Sequence, residues 1–153
     1  MDYNELCKEI KEALEPLNYI FSMFSVASVL LKDRLDGVNW AGFYIVRGDT
    51  LRLSAYSGKP ACEEIKFGKG VCGKCAETKQ IQRVANVHEF KGHIACDSAS
   101  NSEIVLPVFM NGKFYAVLDV DSTEFSRFTE EDQKGLEAIV SIIEEEIEIA
   151  LNY

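Results

Sequence analysis

The 153-residue sequence contains no run of 18 consecutive apolar residues, so it offers no candidate membrane span. It is also short of basic residues: 16 Lys and Arg stand against 25 Asp and Glu, a formal net charge of −9. A general nucleic-acid binder needs a basic footprint that this chain lacks. A polybasic membrane anchor is excluded on the same ground. Internal repeats, linkers and low-complexity tracts are absent. The segment MDYNELCKEIKEALEP is charged throughout, unlike a signal or transit peptide, so the expected location is cytoplasmic.

What is present is a globular composition. Hydrophobic residues make up 47% and charged residues 27%, which excludes disorder. The length suits one domain. A chain of this size buries roughly 68–70% of its unfolded surface, enough for a core without disulfide staples. The five cysteines, Cys7, Cys62, Cys72, Cys75 and Cys96, therefore point to metal binding, catalysis or core filling in a reducing compartment.

The hydrophobic period divides the chain. Leu6, Cys7, Ile10 and Leu14 share one helical face over residues 3–15, ended by Pro16. Residues 19–35 are apolar around most of the circumference and predict a well-buried helix ending near Gly37. VNWAGFYIV (38–46) and TLRLSAY (50–56) read as strands joined by a turn at Arg47-Gly48-Asp49, and ACEEIKF (61–67) as a third strand. Gly68 and Gly70 introduce a short helix over 71–78, and IQRV (81–84) is a short strand. Residues 85–102 read as a long functional or mobile loop. EIVLPVFM (103–110) and KFYAVLDVD (113–121) flank Asn111-Gly112, the strongest short hairpin signal. Pro107 places the first of these at an edge or bulge. Thr129 and Asp132 make a capping box before a last helix whose stripe runs from Leu136 to Leu151. Its Glu144, Glu145, Glu146 and Glu148 read as a solvated face. The order predicts an α+β domain with helices packed on a mostly antiparallel sheet.

The cysteines admit three readings. Cys72, Cys75, His88 and His93 have the spacing Cys-x2-Cys-x12-His-x4-His of a zinc finger. A finger core also needs an aromatic and a leucine inside the x12 segment, where Lys79 and Ala85 stand, so no metal is expected. Alternatively, Cys72 and Cys75 form a CxxC at a helix start, where the helix N-terminus and Lys74 would lower a thiol pKa. Third, Cys96 in GHIACD ends the long loop beside Gly92 and His93, where it is either a reactive thiol or a spare buried one. Cys7 reads as core filling.

Asp119 and Asp121 are two apart on a strand, so both project to one face and Leu118 and Val120 to the other. That face is either wet or the floor of a pocket. As a floor, with Glu103 as a third member, the carboxylates would bind a cation such as an amino group. They would also repel one another until at least one carries a proton near neutrality.

NWAGFY (39–44), GVCG (70–73), DVDS (119–122) and especially GHIACDSASNSEIVLP (92–107) resemble the free methionine-(R)-sulfoxide reductases, small enzymes built on a GAF domain. The resemblance runs from about residue 18 to 140 and implies one GAF domain over 1–153. It implies a six-stranded, mostly antiparallel sheet flanked by N- and C-terminal helices. Matched residue by residue, Cys96 is the nucleophile, Cys62 the principal resolving thiol and Cys72 a third cysteine able to join recycling. Glu103, Asp119 and Asp121 match the acidic pocket, and Trp40 and Tyr44 its aromatics. Cys75 is not part of the family pattern. The implied activity is thiol-dependent reduction of free methionine (R)-sulfoxide, an oxidative-stress repair reaction, without metal or organic cofactor. A Cys96 sulfenic acid, a disulfide, thioredoxin as reductant and a possible homodimer belong to the same implication. The rival reading is a non-catalytic GAF module that binds a small molecule and signals. Against it stand the three family-matched cysteines and the absence of a fused partner domain.

Overall fold

The computed structural model describes residues 1–92 and 100–151. Helices α1 (Tyr3–Leu14) and α2 (Ile20–Arg34) come first, then strands β1 (Val38–Arg47), β2 (Thr50–Ser57) and β3 (Glu64–Lys66). Helix α3 (Gly70–Thr78), strand β4 (Gln82–Val84) and a 3-10 turn (Val87–Glu89) follow. Strands β5 (Ser102–Met110) and β6 (Lys113–Ser122) and helix α4 (Glu130–Leu151) complete the chain. The strands form one six-stranded sheet in the order β3-β2-β1-β6-β5-β4, with every neighbouring pair antiparallel. This is the α+β architecture that the period changes predict.

Period-2 alternation gives each central strand two buried faces. Phe43, Ile45, Ile104, Leu106, Leu118 and Val120 join the main core with α1, α2 and α4, where Phe24 stacks on Phe43 at 4.1 Å between ring centroids. The opposite face is buried under α3 and carries Trp40, Tyr44, Val105 and Val117.

The predicted turns form. Met110 pairs with Lys113 across Asn111-Gly112, and both turn residues take the positive φ that a two-residue hairpin of this type requires. Strand β4 pairs β5 only over Glu103–Val105, so Pro107 lies on the stretch of β5 that β4 does not reach, beside a bulge at Val108/Phe109. The capping box is reciprocal: Thr129 N–H donates to Asp132 Oδ2 at 2.9 Å, and Asp132 N–H donates to Thr129 Oγ1 at 3.2 Å. Tyr3 O–H and Arg127 also donate to Asp132, at 2.6 and 3.0 Å, which ties the start of α1 to the start of α4.

Four local expectations change. The third strand covers 64–66 rather than 61–67: past the Arg52–Glu64 pair the contact with β2 shrinks to one bond, Leu53 N–H to the Glu63 carbonyl at 2.9 Å. The second helix is buried on one side only: Met23, Phe24, Ala27 and Leu31 meet the core, whereas Val29 is exposed. Leu151, at the end of α4, is also exposed. The glutamates of α4 are not simply a solvated face. Glu144 accepts the Phe109 N–H at 2.6 Å and Glu148 the Asn111 N–H at 3.0 Å. Phe109 lies at the bulge of β5, where β4 does not reach and a part-buried donor without a partner is costly, and Asn111 lies in the exposed turn that follows. Glu146 is buried and lies 3.9 Å from Lys11 Nζ. Among the described residues no helix is long and apolar enough to cross a membrane.

Candidate active site

The site is built on the second face of the sheet, and the strand register assembles it in rows. Trp40 of β1 lies opposite Asp121 of β6, which lies opposite Glu103 of β5. In the next row Gly42, Asp119 and Val105 stand side by side, and beyond them Tyr44 meets Val117. Three carboxyl side chains therefore project from adjacent strands within two rows. Cross-strand neighbours have Cβ atoms roughly 4.5–5.5 Å apart, so the groups cannot avoid one another.

Gly42 shapes the floor. A Cβ at this position would sit 2.4 Å from Tyr56 Cβ and 2.7 Å from the Trp40 ring, so only glycine lets both aromatics lie across β1. The Trp40 ring stacks on Tyr56 with centroids 5.4 Å apart and approaches Tyr44 at 6.1 Å. Its Nε1–H donates to the Lys59 carbonyl at 2.9 Å, which fixes the ring plane. Trp40 and Tyr44 are the expected aromatics. Gly42 and Tyr56 escape sequence reasoning, although their shared parity on the β1–β2 hairpin is the signal that could find them.

Helix α3 closes the face from above. Cys72 in its first turn is buried, and its thiol donates to Glu103 Oε2 at 3.8 Å. Ligand atoms of Cys72, Glu103 and Asp119 all lie within 4.8 Å of one another. Glu103, Asp119 and Asp121 are only 8%, 5% and 7% exposed, so of the two readings offered for their face, wet or pocket floor, the wet one is corrected. The cause is α3, whose packing against β5 and β6 cannot be read from strand periodicity.

Burial and crowding set the protonation. Burial, then the neighbouring Asp121 and Glu103 carboxylates, push the Asp119 carboxyl well above the usual carboxylate range. The same burial and the carboxylates of Asp119, Glu103 and Asp121 push the Cys72 thiol well up. The expectation that a helix N-terminus and Lys74 would lower the CxxC thiols is therefore overturned. Removal from water and three acidic neighbours outweigh the dipole at Cys72. Burial alone pushes Cys75 up to about 12. Burial and the acidic cluster also hold the Tyr44 phenol protonated far above its ordinary range.

Cys72 and Cys75 are free thiols, and Cys75 packs fully buried in the second core cluster. Cys62, in the connection between β2 and β3, is disulfide-bonded. Cys96 and His93 lie outside the described residues. The metal-competent grouping among the described residues is Cys72, Glu103 and Asp119, and it includes neither Cys75 nor His88 of the finger spacing. His88 Nε2 instead faces Asn101 Oδ1 at 2.8 Å.

The model of the GAF domain matches residues 1–148. The free methionine-R-sulfoxide reductase of Escherichia coli is 45% identical over 142 residues, spanning 93% of this chain and 86% of that protein. Among solved structures, the reduced form of fRMsr of Staphylococcus aureus is 44% identical, with a TM-score of 0.92 over 95% of each chain. The free methionine-R-sulfoxide reductase of Neisseria meningitidis in complex with its substrate is 34% identical, with a TM-score of 0.93 over 98% of this chain and 90% of that one. Fold, register and sequence agree, and the chain belongs to the free methionine-(R)-sulfoxide reductase family of GAF-domain proteins.

Proposed function

We propose that this protein reduces free L-methionine (R)-sulfoxide to methionine with Cys96 as nucleophile. The observation that carries the reading is the buried, three-carboxyl floor, one member of which, Asp119, has its pKa pushed well up by burial and then by its acidic neighbours. A buried cluster of this kind lowers stability, and a positively charged ligand beside a proton-demanding reaction accounts for its presence.

The chemistry follows from the residue types. The sulfoxide sulfur is electrophilic and is open to thiolate attack. Its oxygen leaves only when protonated, and Asp119, whose carboxyl is pushed well above the usual carboxylate range by burial and by Asp121 and Glu103, is the acid suited to supply that proton. Glu103 and Asp121, opposite each other in register, accept the substrate ammonium. Trp40 and Tyr44 wall the methyl-sulfur end. Methionine is released with its sulfur reduced by two electrons, and Cys96 becomes a sulfenic acid. Cys62 then attacks, water leaves and a Cys62–Cys96 disulfide forms. An external dithiol of the thioredoxin type restores both thiols by exchange. Cys62 is disulfide-bonded here, which fits a resolving role. The buried, high-pKa Cys72 is a poor thiolate and fits a pocket-lining role better than a first resolver. An ammonium-binding floor also explains a preference for the free amino acid over a peptide-bound residue, which has no ammonium at that position.

The test is methionine release from free methionine (R)-sulfoxide by the dithiothreitol-reduced protein and by Cys96→Ser. Turnover by the unaltered chain and none by Cys96→Ser is expected. Turnover by Cys96→Ser would show that another group is the nucleophile.

A further inference from the structure

We propose that Cys72, Glu103 and Asp119 together form a site for a thiophilic divalent cation, with Zn2+ as the natural candidate. The three side chains come from α3, β5 and β6, and their ligand atoms lie within 4.8 Å of one another. The best-defined pair, Cys72 Sγ and Glu103 Oε2, is 3.8 Å apart. Two ligands on one tetrahedral zinc, with a Zn–S bond of ~2.3 Å and a Zn–O bond of ~2.1 Å, are separated by roughly 3.6 Å. The observed spacing is within a small side-chain adjustment of that.

A second observation points the same way. Asp119 is 95% buried, being 5% exposed, and its Oδ1 meets no hydrogen-bond donor among the described residues. A buried carboxyl oxygen without a partner is a standing cost that a cation relieves. The donor set selects the ion. One sulfur with two carboxylate oxygens suits a borderline or soft cation. Mg2+ and Ca2+ want about six or more oxygens and gain nothing from a thiol. Binding is coordination only: one metal–sulfur and two metal–oxygen bonds form, the Cys72 thiol proton and the proton held by Asp119 pass to solvent, and no group changes oxidation state. Three protein ligands leave a fourth position for water, and the site takes added cation reversibly.

The consequence is inhibition. A cation on Glu103 and Asp119 occupies the groups that hold the amino acid and donate its proton, so metal and substrate exclude each other. That consequence rests on the reductase reading, whereas the metal site does not.

Cd2+ is the probe, because thiolate–cadmium bonds give an ultraviolet charge-transfer band. The full chain is titrated in its disulfide form, so that Cys62 offers no thiol. One Cd2+ per chain with a charge-transfer band is expected, with Zn2+ displacing it. Cys72→Ser should abolish the band, Asp119→Asn should weaken binding at least tenfold, and Cys75→Ser should leave both unchanged. No band in the unaltered chain, a band retained in Cys72→Ser, or affinity indifferent to Asp119→Asn would overturn the site. Asp119→Asn replaces an ionisable group of the crowded floor with a neutral one of the same shape and should fold even where Cys72→Ser does not. Free methionine sulfoxide should displace the Cd2+. Failure to displace it, with the band still lost in Cys72→Ser, would overturn the inhibition and the substrate pocket while leaving the metal site standing.

Discussion

At Asp119 the stability of the fold and the chemistry of the site pull in opposite directions. Its carboxyl is removed from water and faces Asp121 and Glu103, so its folded-state pKa lies well above the unfolded value of about 3.9. The folded chain therefore binds more protons than the unfolded chain once pH rises above about 4, and stability falls as pH climbs through the folded pKa. Below about pH 4 both states are protonated and the effect vanishes. Asp119→Asn should therefore melt above the unaltered protein at pH 8, with the gap closing towards pH 4, as thermal unfolding at both pH values will show. The same variant should lose most methionine release. Cys62 is separable from this floor. Cys62→Ser should release about one methionine per chain and then stall with thioredoxin, which a single-turnover assay reads directly. Continued thioredoxin-driven turnover would shift the resolving role to Cys72 or Cys75.

Among the elements, α3 is the one whose role sequence periodicity states least well. Its existence is legible from Gly68, Gly70 and the short apolar stretch, and helix 70–78 forms where expected. Its function as a cover is not, because Cys72, Glu103 and Asp119 belong to three separate elements and meet only through register and helix placement. The CxxC pattern suggested activated thiols, and packing reversed that at both positions. Cys75, fully buried in the second cluster, fills core space. Cys75→Ser should thus keep most thioredoxin-linked turnover while losing about 1–3 kcal/mol of stability, the usual cost of a buried hydroxyl without a partner. A denaturant titration beside an activity assay separates the two. Local signals fare better than long-range ones. Asn111-Gly112 and Thr129–Asp132 are read correctly because their chemistry is complete within four residues. The Glu144 and Glu148 contacts to the β5 bulge span 35 and 37 residues, and no charge pattern announces them.

On the scale of the whole molecule, one sheet serves two purposes. Its helix-packed face supplies the main core, and its α3 face carries the buried acidic cluster. The alternation of Leu118 and Val120 with Asp119 and Asp121 records that division in the sequence itself. What the alternation leaves open is whether the acidic face meets water or protein, and the chain answers with a helix laid over it. The central claim is that this buried acidic floor reads the ammonium of a free amino acid. It is tested most directly by comparing the initial rates at which the dithiothreitol-reduced protein converts free and N-acetylated methionine (R)-sulfoxide. Losing a charge-assisted hydrogen bond in a closed site costs about 1.5–3 kcal/mol, so the account predicts a free-substrate rate roughly 10- to 150-fold higher at subsaturating concentration. Equal rates on the two substrates, or no methionine from the free one, would contradict it.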